Sequence, residues 1–501
     1  MSGEGRIFDR SVRKPKSKNS IVSIGLCLAV FVWLTHDSAL LRENPGEFLE
    51  CLILTLICSW PTLAWYRRGM QEVPVVEVLC LNHFVWYILP YLNAHPVLLR
   101  YPAEVRSTAG WALGLYVLAI QAGGSMLRLR RRSGQRNSTG FLDRHLNLDG
   151  RAYLLPTFYG AWVFFDLLLA TGSLPYFSAF LALARSLVSS VGLIALFFLS
   201  YRTGQELRLH KPGHAWLLMA AISFHMLVVA ASGSLSNTSL VLFGALAPYS
   251  LGRKQPPILA LIVAVACLGF LHLGKAEMRQ HFWGEDGADR GPVNPIEVYE
   301  FWIPASWEAM VDAKTQPDDE DKTDIWKRAS LMHMLAMVVS ETPDVRDYLG
   351  GETYAMIPML MVPRFMWPDK PRASLPMERL GIYYEIMTEE TNDVTSVTFG
   401  QATEAWANFG WFGMAGVGFC FGLVAGIGNR ISFMRPLDSI GFLLAGILLS
   451  RVWDVGNSAG TIILGALQGL SFALVFLYLL TRRSKNSATE NAAFSPRQVK
   501  S

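Results

Sequence analysis

The sequence predicts an all-α protein that crosses a membrane about twelve times and carries one large loop outside it. Three observations carry that expectation. Of the 501 residues, 51% are hydrophobic and only 17% are charged, and the mean hydropathy is +0.29. Apolar runs recur at about the 20 residues that a helix needs to cross roughly 30 Å of hydrocarbon. Lys and Arg, finally, gather in alternate connecting loops, as cytoplasmic loops require. The spans are helical because lipid offers the backbone no hydrogen-bond partners, and no series of alternating ten-residue strands suggests a barrel.

In chain order the runs lie near 20–36, 48–66, 73–92, 108–127, 153–171, 183–201, 214–231, 237–251 and 256–273, then near 408–427, 438–453 and 459–481. The basic stretch MSGEGRIFDRSVRKPKSKNS precedes the first run, which lacks a small-residue cleavage site and reads as a retained start-transfer helix. With a cytoplasmic N-terminus, the inside loops YRRG, RLRRRSGQRNSTGFLDRHLNLDGR, YRTGQELRLHKPGH, LGRKQPP and GNRISFMRP and the tail TRRSKNS each hold at least two Lys or Arg. Both termini are then cytoplasmic. The chain divides into a basic tail (1–19), a nine-helix membrane region (20–273), a large outer loop (274–407), a three-helix membrane region (408–481) and a second tail (482–501). In a Gram-negative bacterium the loop is periplasmic and the membrane the inner one.

The six cysteines (Cys27, Cys51, Cys58, Cys80, Cys267 and Cys420) all fall in apolar runs without a CxxC spacing, so neither a disulfide frame nor a zinc site is expected. Neither is a nucleic-acid partner, since the net charge of +4 is scattered over loop ends. The run Asp318-Asp319-Glu320-Asp321 lacks calcium-loop spacing and reads as a solvated face. Asp37 in the first outer loop also reads as solvated, and His333 as packed against a loop helix that begins near Trp326. Glu77, His83, Asp166 and His225 lie within spans and should face the bundle.

The informative part of the outer loop is PMLMVPRFMWPDKPR, residues 358–372. Pro363 and Pro368 should end an apolar helix lying at or in the membrane surface. The chain then leaves the lipid with Arg364, Lys370 and Arg372 close together. Cations beside an apolar surface suit an amphiphile with an anionic head, because Arg grips phosphate bidentately and Lys adds a point charge. A lipid-linked pyrophosphate sugar has both halves; plain anchoring at headgroups is the simpler reading.

Within that stretch VPRFMWPDKP, residues 362–371, resembles the I-P-R-x-x-W-P-x-K-P signature of bacterial Wzy-type polysaccharide repeat-unit polymerases. Downstream, TFGQATEAWANFGWFGMAG at 398–416 is similar to that family's G-x-x-x-E-x-x-x-N-F-G-x-x-G entry into the next span. The similarity covers about 325–427. It implies a fold like that of the membrane glycosyltransferases of the GT-C type, with no metal and no cofactor. The implied activity is transfer of a growing glycan from undecaprenyl pyrophosphate onto an incoming lipid-linked repeat unit, outside the membrane. A separate chain-length regulator is a natural partner. The chain departs from the family where an Arg often stands in the loop before the eighth span: here Ser232-Gly233-Ser234-Leu235-Ser236-Asn237 has no charge. Lys275 and Arg279 are the expected substitutes.

Breaking a sugar–pyrophosphate bond builds negative charge that fixed cations stabilise; Arg364, Lys370, Arg328 and Arg279 are expected in that role. Arg451, in SRVWD, is either a further such cation or a headgroup anchor. The acceptor hydroxyl needs a base, for which Glu404 and Asp369 stand nearest the motif. Glu404 lies four residues before Asn408 on one helical face and alternatively makes a structural hydrogen bond to a neighbouring helix; Asp369 alternatively pairs with Lys370 or Arg372. Other readings are an O-antigen ligase, or a flippase or exporter of the same lipid-linked sugar. Repeat-unit sugars, linkage, stereochemistry and oligomeric state are not legible in the sequence.

Overall fold

The structure, a computed structural model, describes residues 40, 44–129, 140–144, 153–174, 179–209, 215–233, 235–255, 257–283, 294–315, 330–362, 366–367, 370–388 and 397–482. The expected first span (20–36), Asp37, the acidic run at 318–321, Trp326, Arg328, Pro363, Arg364, Pro368 and Asp369 lie outside the described residues.

Among the described residues the regular structure is helical throughout. The membrane-type helices are α1 (Pro45–Arg67), α2 (Val75–Leu92), α3 (Ala103–Leu129), α4 (Leu154–Ala170), α5 (Ala179–Arg208), α6 (Ala215–Ala231), α7 (Leu235–Arg253) and α8 (Ile258–Leu273). Loop helices follow: α9 (Lys275–Trp283), α10 (Pro295–Thr315), α11 (Met332–Glu341), α12 (Glu352–Ala355), α13 (Ile357–Met361) and α14 (Leu375–Tyr383). The chain closes with α15 (Gln401–Ser432), α16 (Ile440–Val452) and α17 (Ala459–Arg482). Among the described residues six helices are long and apolar enough to cross a membrane: α1, α2, α3, α5, α15 and α17. The shorter α4, α6, α8 and α16 are also apolar. The protein is therefore a helical membrane protein.

Helices α3 and α15 cross backbone to backbone. A Cβ on Gly418 would stand 2.6 Å from the Tyr116 carbonyl, and one on Gly426 2.9 Å from the Cα of Gly124. Small residues at such crossings let dispersion contacts replace the hydrophobic drive that lipid cannot supply. Around this crossing a large buried cluster joins α1, α2, α3, α11, α14, α15 and the start of α17. A second cluster joins α4 to α7 with α16 and the later part of α17.

Ionisable residues within the helices face the bundle. Glu77 of α2 is fully buried, 3.3 Å from Arg68 Nη2, and accepts from Asn429 Nδ2 at 2.7 Å. His225 Nε2 meets Asp166 Oδ2 at 2.9 Å, joining α6 to α4.

The segment between α8 and α15 docks through groups that irregularities in the helices release. Pro90 has no N–H to return to the Trp86 carbonyl, and the helix passes there through a π-helical turn, Phe84–Ile88. The Trp86 carbonyl instead accepts from Leu331 N at 2.9 Å, seating the start of α11. His333 of α11 then stacks on His95, with ring centroids 5.5 Å apart and the ring planes nearly parallel.

Candidate functional site at the head of the last helix

Helix α15 is broken at Gly410, whose φ of 56° and ψ of −134° suit only glycine. The break separates a head, Gln401–Phe409, from the membrane part, and it interrupts the ladder that would satisfy the carbonyls of Ala407 and Asn408. Those carbonyls accept from Leu349 N (3.0 Å) and Gly350 N (3.1 Å) instead. Asn408 adds a third tie: its Oδ1 accepts from Gly351 N at 3.1 Å and its Nδ2 donates to Thr353 Oγ1 at 2.9 Å. The N-F-G of the downstream motif thus fixes the GGETY turn on top of α15.

Glu404, one turn earlier, is fully buried. Its Oε2 accepts from Ala459 N, the first amide of α17, at 2.8 Å. A carboxylate suits that position because the amides of a helix N-terminus lack partners and carry partial positive charge. The same helix head is capped by Ser458, whose Oγ accepts from Thr461 N at 3.2 Å. Oε1 of Glu404 makes no close hydrogen bond, and the Thr353 hydroxyl stands beside the carboxyl. Of three buried hydroxyls around the head of α15, that of Tyr354 makes no hydrogen bond, and those of Tyr87 and Thr403 face each other. A buried polar group is costly unless paired, and a carboxyl with three hydroxyls gathers here.

The signature segment reaches the same helix head from the other side. Lys370 is largely buried, and its Nζ donates to the carbonyls of Leu360 and of Val362, the latter at 2.9 Å. Its charge thereby ties Lys370 back to Leu360 and Val362. Thr461 Oγ1 donates to Ala373 O at 2.9 Å. Leu360, Pro376 and Ile357 crowd Gly460, where a Cβ would meet them at 3.2–3.6 Å. The apolar stretch before the turn is two short helices, α12 and α13, rather than the single helix expected. The second ends at Met361, with Val362 extended (φ −62°, ψ 127°) as a residue preceding proline prefers. Met366 and Trp367 stand exposed beside it, and so does Arg372.

Three expected cations lie elsewhere. Arg279 Nη2 donates to the Gly233 carbonyl at 3.0 Å, which brings a guanidinium to the α6–α7 turn that lacks a charge of its own. Lys275 starts the same helix; burial, with Arg279 beside it, pulls its ammonium down to about 8. Arg451 of α16 turns toward Ser189 and Ser190 of α5. The structure therefore joins Glu404 and Lys370 through the head of α17, groups Arg279 with Lys275, and sends Arg451 to a third place. Arg328, Arg364 and Asp369 fall outside the described residues. Sequence reading missed Tyr87, Thr403 and Tyr354: they come from three distant segments, and Tyr87 lies within an ordinary apolar run. Among the described residues no group of three or more His, Cys, Asp or Glu is placed to hold a metal.

A family model described as a domain of unknown function, DUF8712, matches residues 255–431. That stretch holds Lys275, Arg279, the signature segment and Glu404. No curated protein and no solved structure matches the chain.

Proposed function

We propose that this chain is a Wzy-type polysaccharide repeat-unit polymerase of the bacterial inner membrane. In this reading it crosses the membrane twelve times with both termini cytoplasmic, in a GT-C-like arrangement, and polymerises undecaprenyl-pyrophosphate-linked oligosaccharides on the periplasmic side. The observation that supports it is that residues flanking the signature segment (Ile357, Leu360, Ala373 and Pro376) and Glu404 meet at the head of α17. Two stretches that resemble the polymerases, some 30 residues apart in sequence, thus share one helix terminus.

The roles follow from the chemistry. Glu404 is held by one carboxylate oxygen, and the other is left to take the proton of the acceptor hydroxyl. As the new glycosidic bond forms at the donor's anomeric carbon, the bond from that carbon to the pyrophosphate oxygen breaks, and the pyrophosphate leaves with the electron pair. Arg364 stabilises that charge, and Lys370 beyond it holds the carbonyls of Leu360 and Val362. Arg279 and Lys275 supply positive charge at the α6–α7 turn. A chain-length regulator acts as a separate partner.

The test is glycan length in cells carrying Arg364→Ala at unchanged membrane protein level. Single-repeat glycans on their final acceptor, with long chains gone, are expected. Long chains accumulating on the lipid carrier would identify a ligase instead, and unexported repeat units a flippase. Unaltered polymer would return the motif to a headgroup anchor.

A further inference from the structure

Arg451 occupies the last turn of α16, one residue before the helix ends at Val452. An arginine there has an easy course, which is to extend its stem and keep its charge among headgroups and water. This one turns inward. Its Nη2 donates to Ser189 Oγ and Ser190 Oγ of α5, both at 3.3 Å. Its stem lies over two glycines of α17; a Cβ on Gly469 would stand 3.1 Å from Nε, and one on Gly465 3.8 Å from Cδ. Both serine hydroxyls donate backward to the Ser186 carbonyl, at 3.3 and 2.7 Å, which leaves their lone pairs for the guanidinium.

What is missing is an anion. Nε of Arg451 is buried and makes no hydrogen bond, and neither does the buried hydroxyl of Ser186, one turn along α5. No carboxylate among the described residues reaches the guanidinium. Asp454, three residues on, engages Gly456 N at 3.1 Å instead, and burial raises its carboxyl above the usual range. A guanidinium cannot shed its proton to escape burial. Two neutral hydroxyls do not balance its charge, and buried charges are otherwise paired. Its fork, with Nε and the Ser186 hydroxyl still to be used, matches an anion that offers several oxygens. The last turn of a membrane helix is also the depth at which lipid phosphates lie.

We propose that Arg451, Ser186, Ser189 and Ser190, closed below by Gly465 and Gly469, form an intramembrane seat for a phosphate group, supplied by a lipid headgroup or by free phosphate. The seat faces α5, whereas Glu404 faces the head of α17. It stands on its own geometry and does not depend on the reaction proposed above.

The test is native mass spectrometry of the purified, delipidated full-length protein. Phosphatidylglycerol, undecaprenyl phosphate and inorganic phosphate are added separately to wild type, Arg451→Gln and Gly469→Ala. Wild type should hold one copy of a phosphate-bearing probe with at least about tenfold tighter affinity than Arg451→Gln, the loss expected for one charge-assisted contact. Gly469→Ala keeps the charge but presses on Nε and should weaken binding severalfold. Retention of a lipid names a headgroup as the source; retention of inorganic phosphate alone names the free anion. Equal binding by wild type and Arg451→Gln, or binding of no probe, overturns the proposal. If Arg451→Gln does not fold, Gly469→Ala decides, and unchanged binding by that variant is the contradicting result.

Discussion

Glu404 and Arg451 are buried charges near one end of the bundle, where Gln401 N donates to Val455 O at 3.1 Å and links their two helices. Their surroundings supply different things. Glu404 rests on the amide of a helix N-terminus, so the fold itself furnishes much of what a carboxylate needs. Arg451 receives two hydroxyls and no opposite charge. A carboxyl held by a helix-terminal amide is positioned for chemistry, whereas a guanidinium given only neutral hydroxyls among the described residues suits a partner from outside the chain. The contrast separates a reacting group from a binding group without appeal to the sequence motif.

The largest effect should come from changing Glu404 to Gln. The amide oxygen can still accept from Ala459 N, so folding should persist while polymer formation falls by about 10²–10⁴, the usual contribution of a general base. Polymer yield at matched protein level measures this, and full activity would break the contrast. Next come two truncations compared in delipidated protein. Glu404→Ala abandons the Ala459 amide and should cost about 1–3 kcal/mol. Arg451→Met removes an uncompensated charge and should be neutral or stabilising. Thermal unfolding in detergent reads both, and a large loss from Arg451→Met would mean that the arginine is already satisfied.

Smaller effects depend on pH. Lys275 is charged below about pH 8 and neutral above it, so if its charge serves the anion, activity should fall severalfold as pH rises through 8. Lys275→Arg should flatten that limb of the profile. His333 is the mildest case. Burial, helped by His95 beside it, holds its imidazole at about 4, against 6.5 for a free one. The unfolded chain therefore binds the extra proton between those values, and stability rises with pH across that window. Docking of α11 should weaken as pH falls below about 6.5, and hydrogen exchange at α11 should lose that slope in His333→Phe.

Much of this architecture was legible in the sequence. The apolar runs from 48–66 onward coincide with helices α1 to α8 and α15 to α17, because lipid-length hydrophobicity is a local property. Long-range consequences of single residues were not legible. Nothing in the spacing sets Pro90 and Gly410 apart, yet the carbonyls they release hold the segment between α8 and α15 in place. Of the two readings open for Glu404, the hydrogen bond to a neighbouring helix is present in the fold. Lys370, expected to face phosphate, spends its donors on two backbone carbonyls. Such choices depend on which backbone groups three-dimensional packing leaves over, and no spacing rule encodes that.

The central claim is polymerisation at the head of α17, and reconstitution tests it most directly. Purified full-length protein in vesicles would be given undecaprenyl-pyrophosphate-linked repeat units, with the products separated by size. A ladder of lengthening lipid-linked glycans is the expected result, lost in Glu404→Gln and in Arg364→Ala. Repeat units that remain single with the wild-type protein, or a ladder that survives both substitutions, would contradict the account.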